Sequence, residues 1–194
     1  MARVSNPKAQ LGDPSERLIA YLLKHGHFSP FEMVNACVEI TTTRDISRQI
    51  LRHRSFTFQE FSGRYAAYDE LKTVRECRMQ DTKNRQNSLE IEGQEVEVAS
   101  WWDESVTAVA DYAGTIYQQA LDRGIAKEVA RAVLPEGLVP TKMYMNGTLR
   151  SWIHYFNVRC TPDTQKEHRL LAQSLKSLVL SQFPQVQKAL EGDI

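Results

Sequence analysis

Fourteen residues, Arg52–Tyr65 (RHRSFTFQEFSGRY), set the hardest condition that any fold of this chain must meet. Three arginines, a histidine, a glutamate, a glutamine and the hydroxyls of Ser55, Thr57 and Ser62 crowd into this stretch. A solvated surface has little use for that mixture. Guanidinium groups present planar, paired donors to phosphate or imide oxygens. The carboxylate and the hydroxyls accept from ribose or from ring N–H groups. The fold must therefore hold this segment against a polar, anionic, planar ligand, and a nucleotide has that chemistry. Phe56–Phe61 alternates enough to form a short strand, and Gly63 then permits a turn.

The flanking sequence supplies a helix-rich frame. Asp13-Pro14-Ser15-Glu16 reads as a helix start, because proline suits the first turn and acids favour the positive end of the dipole. Leu18, Ile19, Leu22 and Leu23 recur at helical spacing, and Gly26 is a stop signal. Val34–Thr43 is rich in β-branched residues and reads as a strand. Arg44–Arg54 reads as a short helix with Ile46, Ile50 and Leu51 inward and with Gln49 and Arg52 on one face. Thr73–Gln80 and Leu89–Ile91 are weaker strand candidates around a polar loop, Asp81–Ser88. Ser100–Asp122 carries a helical repeat through Trp101, Val106, Val109, Ala110, Ala113, Ile116, Tyr117, Ala120 and Leu121, and Gly124 ends it. The tryptophans at its start, Trp101 and Trp102, suit core or interface packing better than base stacking. A short helix, Lys127–Val133, stops at Pro135. Met143–Met145 reads as a strand, Thr148–Asn157 as a helix, Thr164–Gln182 as a long helix and Pro184–Leu190 as a last short one. The pattern predicts an α+β fold: a small, central, mostly antiparallel sheet with surrounding helices, in a single domain over residues 1–194.

Charge narrows the partners. Basic and acidic residues balance at 24 each, which argues against bulk attraction to nucleic acid or to an anionic membrane. No apolar run approaches the roughly 20 residues needed to cross a bilayer, and the opening MARVSNPKAQLGDP lacks the apolar core of a signal peptide. Cys37, Cys77 and Cys160 are odd in number and widely spaced. That excludes a CxxC pair and fits a reducing cytoplasm better than a disulfide framework. His25 and His27 stand two apart without a third ligand nearby, so no metal site is expected.

On the helix from Thr148, Arg150, His154 and Asn157 fall at i, i+4 and i+7 and share a polar face. Trp152, Tyr155, Phe156 and Arg159 take the other side. A helix with a functional face on each side suits an oligomer. Ser62 has no sequence-adjacent base, and a lone serine is a weak nucleophile, so a binding role is expected of it.

Arg52-His53-Arg54, seven further residues and Ser62 resemble the signature of the flavin-dependent thymidylate synthases (ThyX). The longer family pattern, RHRxxSxNExSxRY, is met by Glu60, Ser62, Arg64 and Tyr65, with Thr57 for the usual Ser and Gln59 for the usual Asn. Three further runs are similar to family blocks and follow in the family's order: HGHFSPFE (His25–Glu32), KEVARAVLP (Lys127–Pro135) and RSWIHYFNVR (Arg150–Arg159). The resemblance covers Ser5 to Arg159 and implies a ThyX-like fold assembled as a homotetramer, with flavin held at subunit interfaces. It implies reductive methylation of deoxyuridylate (dUMP) to deoxythymidylate (dTMP), with methylenetetrahydrofolate as carbon donor and FAD reduced by NADPH. By the same resemblance Gln49, Arg52, Glu60, Ser62, Gly63, Arg64, Arg131 and Arg159 meet dUMP. Ser5, His27, Ser29, Glu32, Arg52, His53, Arg54, Gln59, Glu60, Arg150 and His154 meet FAD. Arg159 carries the catalytic role: a cation opposite the uracil imide stabilises its anion and raises electron density at the carbon to be alkylated. Two other classes compete with this reading. One is a homologue that binds nucleotide and flavin without turnover, and the other is a nucleic-acid module using the arginines, which the neutral charge opposes.

Overall fold

A computed structural model describes residues 2–4, 6, 15–68, 75–91, 93 and 96–192. Among these the chain forms α1 (Glu16–Lys24), β1 (Asn35–Thr43), α2 (Arg44–Ile50), β2 (Phe56–Glu60), β3 (Arg78–Gln80), β4 (Ser88–Glu90), α3 (Val96–Asp122), α4 (Lys127–Ala130), β5 (Pro140–Thr148), α5 (Leu149–Arg159), α6 (Lys166–Ser181) and α7 (Pro184–Glu191). Single 3₁₀ turns occupy Ser29–Met33 and Arg131–Val133. The fold is α+β. One three-stranded sheet has the order β1-β5-β2, and β3 and β4 make a separate antiparallel hairpin with Met79 opposite Leu89.

Alternation explains the larger sheet. Val38 and Ile40 of β1 and Thr141, Met143 and Met145 of β5 are buried, whereas Glu39, Thr41, Lys142 and Tyr144 between them are exposed. One face is thus dry and the other wet, as period-two patterning requires. On the wet face Glu39 accepts from the Tyr144 hydroxyl at 2.6 Å and pairs with Lys142 at 3.1 Å. These donors, Tyr144 foremost, hold the Glu39 carboxyl below its usual range.

The chain divides into two compact units, one of Met1–Cys37, Ser55–Thr57 and Asn146–Ile194 and the other of Val38–Arg54 and Phe58–Met145. In the first, α1 packs on α7, and α5 packs on α6 and on the Ser29–Met33 turn. Lys24 closes the last turn of α1, and Gly26 follows at φ 68°, a left-handed position that favours glycine. The core is aromatic: Trp152 and Tyr155 have no exposed surface, and Phe56 meets Trp152 edge-on with centroids 4.8 Å apart. The indole N–H of Trp152 donates to the Ala36 carbonyl at 3.1 Å, and the Tyr155 hydroxyl bonds the buried His168 ring at 3.0 Å. Burial drives the Tyr155 phenol well above its ordinary range, against the opposing charge of Arg159.

In the second unit Ile46, Ser47 and Ile50 of α2 are buried, and Tyr68, Tyr117, Ala130 and Val139 form a cluster with Phe61 and Leu134 against it. Arg75 ties the start of α2 by donating to the Asp45 carboxylate at 3.0 Å and to the Thr43 hydroxyl at 3.1 Å.

Two expectations change. The aromatic side of α5, read as a second functional face, is core: Trp152, Tyr155 and Phe156 are buried, because aromatic area is what a short helix has to offer a small core. The repeat on α3 serves two sides. Ala110, Ala113 and Tyr117 are buried, while Trp101 and Tyr112 are 62% and 71% exposed. Strand extents also differ. The Met143–Met145 reading grows to nine residues, since Gly147 and Thr148 continue the alternation, and the 3₁₀ turn at Ser29 carried no periodic signal.

Candidate functional site

In the first unit the N-terminal half of α5 builds one wall of a cavity of about 600 Å³. Thr148 caps the helix by accepting the Ser151 N–H at 3.2 Å, and the Ser151 hydroxyl donates to the Ser55 carbonyl at 3.2 Å. With Trp152, Ile153 and Tyr155 turned into the core, helical spacing leaves Arg150, His154 and Asn157 on the outer side. Arg150, His154 and Asn157 are exposed and line the cavity, with Phe28, Glu32 and Ser55 opposite. The Arg150 guanidinium donates to the Glu32 carboxylate. The walls thus carry a guanidinium paired with a carboxylate, an imidazole, a carboxamide and hydroxyls beside the apolar Phe28. That mixture of donors and acceptors suits a polar ligand with a flat ring.

In the second unit the signature strand delivers its side chains by alternation. Glu60 lies on the side of Phe56 and Phe58, and Gln59 lies on the exposed side with Thr57. The Glu60 carboxylate is held by two buried hydroxyls: Ser47 donates at 2.8 Å and Thr141 at 3.0 Å, both to Oε1. The chain then turns. The Ser62 hydroxyl accepts the Arg64 N–H at 3.4 Å, and the Ser62 carbonyl accepts the Tyr65 N–H at 3.1 Å. The Ser62 hydroxyl thus helps to shape this turn. From that turn Arg64 reaches α4, where its Nε donates to Glu128 at 3.0 Å. Glu128 lines a second cavity of about 350 Å³ with Arg44, Arg48, Tyr68, Arg131 and Glu136. Arg48 and Glu136 pair across it at 3.0 Å.

A model of the family described as "Thymidylate synthase complementing protein" matches residues 1–185. A flavin-dependent thymidylate synthase from Synechocystis sp. is 48% identical over 191 residues, covering 98% of this chain and 86% of that relative. The chain belongs to the flavin-dependent thymidylate synthase family. A probable flavin-dependent thymidylate synthase of Paramecium bursaria Chlorella virus 1 is 43% identical over 191 residues, covering 98% and 87%. Among solved structures, the UMP/dUMP methylase PolB from Streptomyces cacaoi, bound with 5-Br UMP, matches at TM-score 0.84 and 24% identity, covering 98% of this chain and 87% of that one. This last likeness is one of fold.

Family membership makes the placement of each expected residue informative. Of the flavin set, Glu32, Arg150 and His154 meet at one cavity. His27 and Ser29 are exposed but do not line it, and the His27 ring instead neighbours Tyr21 and His25, with centroids 6.0 and 6.2 Å away. Ser5 lies outside the described residues. Arg52 and Arg54 are exposed and His53 is half-buried, on the turn that leaves α2, and Gln49 is half-buried in its last turn. Gln59 and Glu60, adjacent in sequence and both expected near flavin, point to opposite faces of their strand. Of the nucleotide set, Glu60, Ser62, Gly63 and Arg64 form one continuous segment, joined to the Arg131 block through Glu128. Arg159 ends α5, half-buried, and does not line the Arg150–His154 cavity. Sequence reading missed Ser55 as a wall residue, left Thr148 aside, and gave no role to Ser47 or Thr141. A hydroxyl just ahead of the Arg150 block was the available signal for Thr148. Nothing local marks Thr141, which meets Glu60 from 81 positions away.

Proposed function

We propose that this chain converts dUMP to dTMP by reductive methylation, with methylenetetrahydrofolate as carbon donor and NADPH as reductant of a bound FAD. The observation that carries this reading is the junction of two separate family blocks: Arg64 of the signature turn bonds Glu128 of the Lys127–Pro135 block at 3.0 Å. That junction supports a single nucleotide site served by Arg64 and the Arg131 cavity. When bound and reduced, FAD supplies the hydride that completes the methyl group. The protein's own contribution is position and charge.

In this reading Arg64 and Arg131 hold the nucleotide with Gln49, Arg52, Ser62 and Gly63. Glu60, already fixed by two hydroxyls, keeps Oε2 for a ligand donor. Arg159, set in the last turn of α5 where the helix dipole also favours a cation, faces the uracil imide and stabilises its anion. Glu32, Arg150, His154 and Ser55 receive the flavin, and Arg52, His53, Arg54 and Gln59 approach it from their own segment, with Ser5, His27 and Ser29 completing the set. The donor character of the Arg150 cavity fits such a group.

The chain works as one domain in a homotetramer whose subunits share each flavin. The exposed Trp101 and Tyr112 on α3, and Val129 on α4, support an apolar interface on this unit. Cytoplasmic residence is supported by three free cysteines, and among the described residues no helix is long and apolar enough to cross a membrane. The test is direct. Purified protein should be yellow, with flavin near equimolar to chains, should bleach under NADPH in the absence of air, and should form dTMP from dUMP and methylenetetrahydrofolate. Colourless protein that stays inactive after FAD addition defeats the proposal, and so does flavin-loaded protein that makes no dTMP.

A further inference from the structure

Tyr68 stands where no motif places a function, three residues past the end of the signature. Its ring occupies the space behind Gly63: a Cβ built on that glycine would lie 2.7 Å from Tyr68 Cε2 and 2.8 Å from its hydroxyl oxygen. No other residue type fits at position 63 unless the ring moves. The ring itself is fixed at several points. The Arg44 guanidinium donates to its hydroxyl at 2.7 Å, its backbone N–H donates to the Tyr117 hydroxyl at 3.2 Å, and Phe61 packs on it with centroids 5.3 Å apart. The same cluster includes Ala130, the residue directly before Arg131. Tyr68 and Arg44 also line the cavity that holds Arg131.

We infer that the Arg44–Tyr68 pair is a positioning device for the nucleotide site: Tyr68 is the backstop against which the Ser62–Arg64 turn is set, and Arg44 locks that backstop. This rests on the dUMP reading above and adds to it two residues outside the signature. The geometry gives Arg44 a role distinct from that of a phosphate ligand. Its bond goes to a phenol that touches the turn, so its effect reaches the nucleotide through Gly63. A hydroxyl bonded to a guanidinium is a charge-assisted contact, stronger than a neutral one, and it anchors the far end of a ring that could otherwise swing about its Cα–Cβ bond.

The experiment uses the flavin-loaded protein and its Tyr68→Phe, Arg44→Gln and double variants. Calorimetric titration gives the Kd for dUMP, steady-state kinetics separate KM from kcat, flavin absorbance gives FAD content and calorimetry gives Tm. Each single variant should weaken dUMP about tenfold through KM, the scale of one lost charge-assisted hydrogen bond. FAD content and kcat at saturating dUMP should stay within about twofold, a change worth less than half of that bond. The double variant should bind dUMP no more weakly than either single one, because both remove the same bond. Lower Tm with unchanged dUMP affinity would make the pair merely structural and overturn the inference. Additive losses, or an Arg44→Gln defect far larger than that of Tyr68→Phe, would make Arg44 a direct ligand and overturn it too. Wild-type protein that fails to bind dUMP would instead sink the underlying functional reading.

Discussion

The two hydroxyls on Glu60 invite a perturbation whose size can be worked out in advance. Thr141→Val keeps the side-chain volume and removes one donor at 3.0 Å from Oε1. Ser47→Ala removes the other at 2.8 Å, a donor whose single proton is shared with the Arg44 carbonyl, also 2.8 Å away. A hydrogen bond to a charged group contributes about 1.5–3 kcal/mol. Glu60 is half-buried, so water recovers part of the loss, and the low end applies: about 1.5 kcal/mol for Thr141→Val. For a chain of this length each kcal/mol moves Tm by about 2–4 °C, so the valine variant should melt about 3–6 °C lower. Ser47→Ala should cost a similar amount, since it too removes one O–H donor. The assay is scanning calorimetry at neutral pH, repeated in a Glu60→Ala background. There Thr141→Val should cost almost nothing, because the acceptor has gone. The same 3–6 °C loss without Glu60 would refute the cradle, since the threonine would then be stabilising something else.

Three further outcomes follow from the site and the surface. Arg150→Ala removes the guanidinium from the Glu32–His154 cavity and should weaken FAD about tenfold, read by flavin fluorescence titration, with dUMP affinity retained in protein saturated with FAD. Tyr112→Glu places a charge on the exposed side of α3 and should shift a tetramer to smaller species in light scattering, with FAD lost in parallel; small species that keep their flavin would contradict shared sites. Burial pushes the Cys160 thiol above its ordinary range. Less of it is thiolate at any given pH, so its alkylation, followed by mass spectrometry, should reach half its maximal rate at a higher pH than that of a free cysteine analogue.

What the sequence disclosed depended on how far apart the cooperating residues lie. Val34–Thr43 was legible as a strand because β-branching and alternation are local signals, and β1 occupies nearly the same span. The Arg150, His154, Asn157 row was legible because helical spacing is local, and all three line one cavity. Trp152, Tyr155 and Phe156 on the other side of α5 are core, and an aromatic stripe looks alike in sequence whether it meets a ligand or a core. Only tertiary packing, with Phe56 on Trp152 and His168 on Tyr155, separates the two. Glu60 was named from its motif, but its supports were invisible, because Ser47 and Thr141 lie 13 and 81 positions away.

Two residues of the Arg52–Tyr65 segment answer to the fold. Gly63 is a glycine because Tyr68 fills the space where a Cβ would go, and Ser62 is a serine because its hydroxyl accepts from the turn it begins. Neither requirement involves a ligand. Arg64 is different: its partner Glu128 is 53% exposed, and a pair that open contributes little to stability. A side chain held only weakly by its own ion pair can exchange that partner for a better one. A phosphate offers such a partner, with more charge and matching bidentate geometry. Under the dUMP reading, Ser62 and Gly63 set the turn as well as facing the nucleotide, and Arg64 carries its charge from that turn to the phosphate.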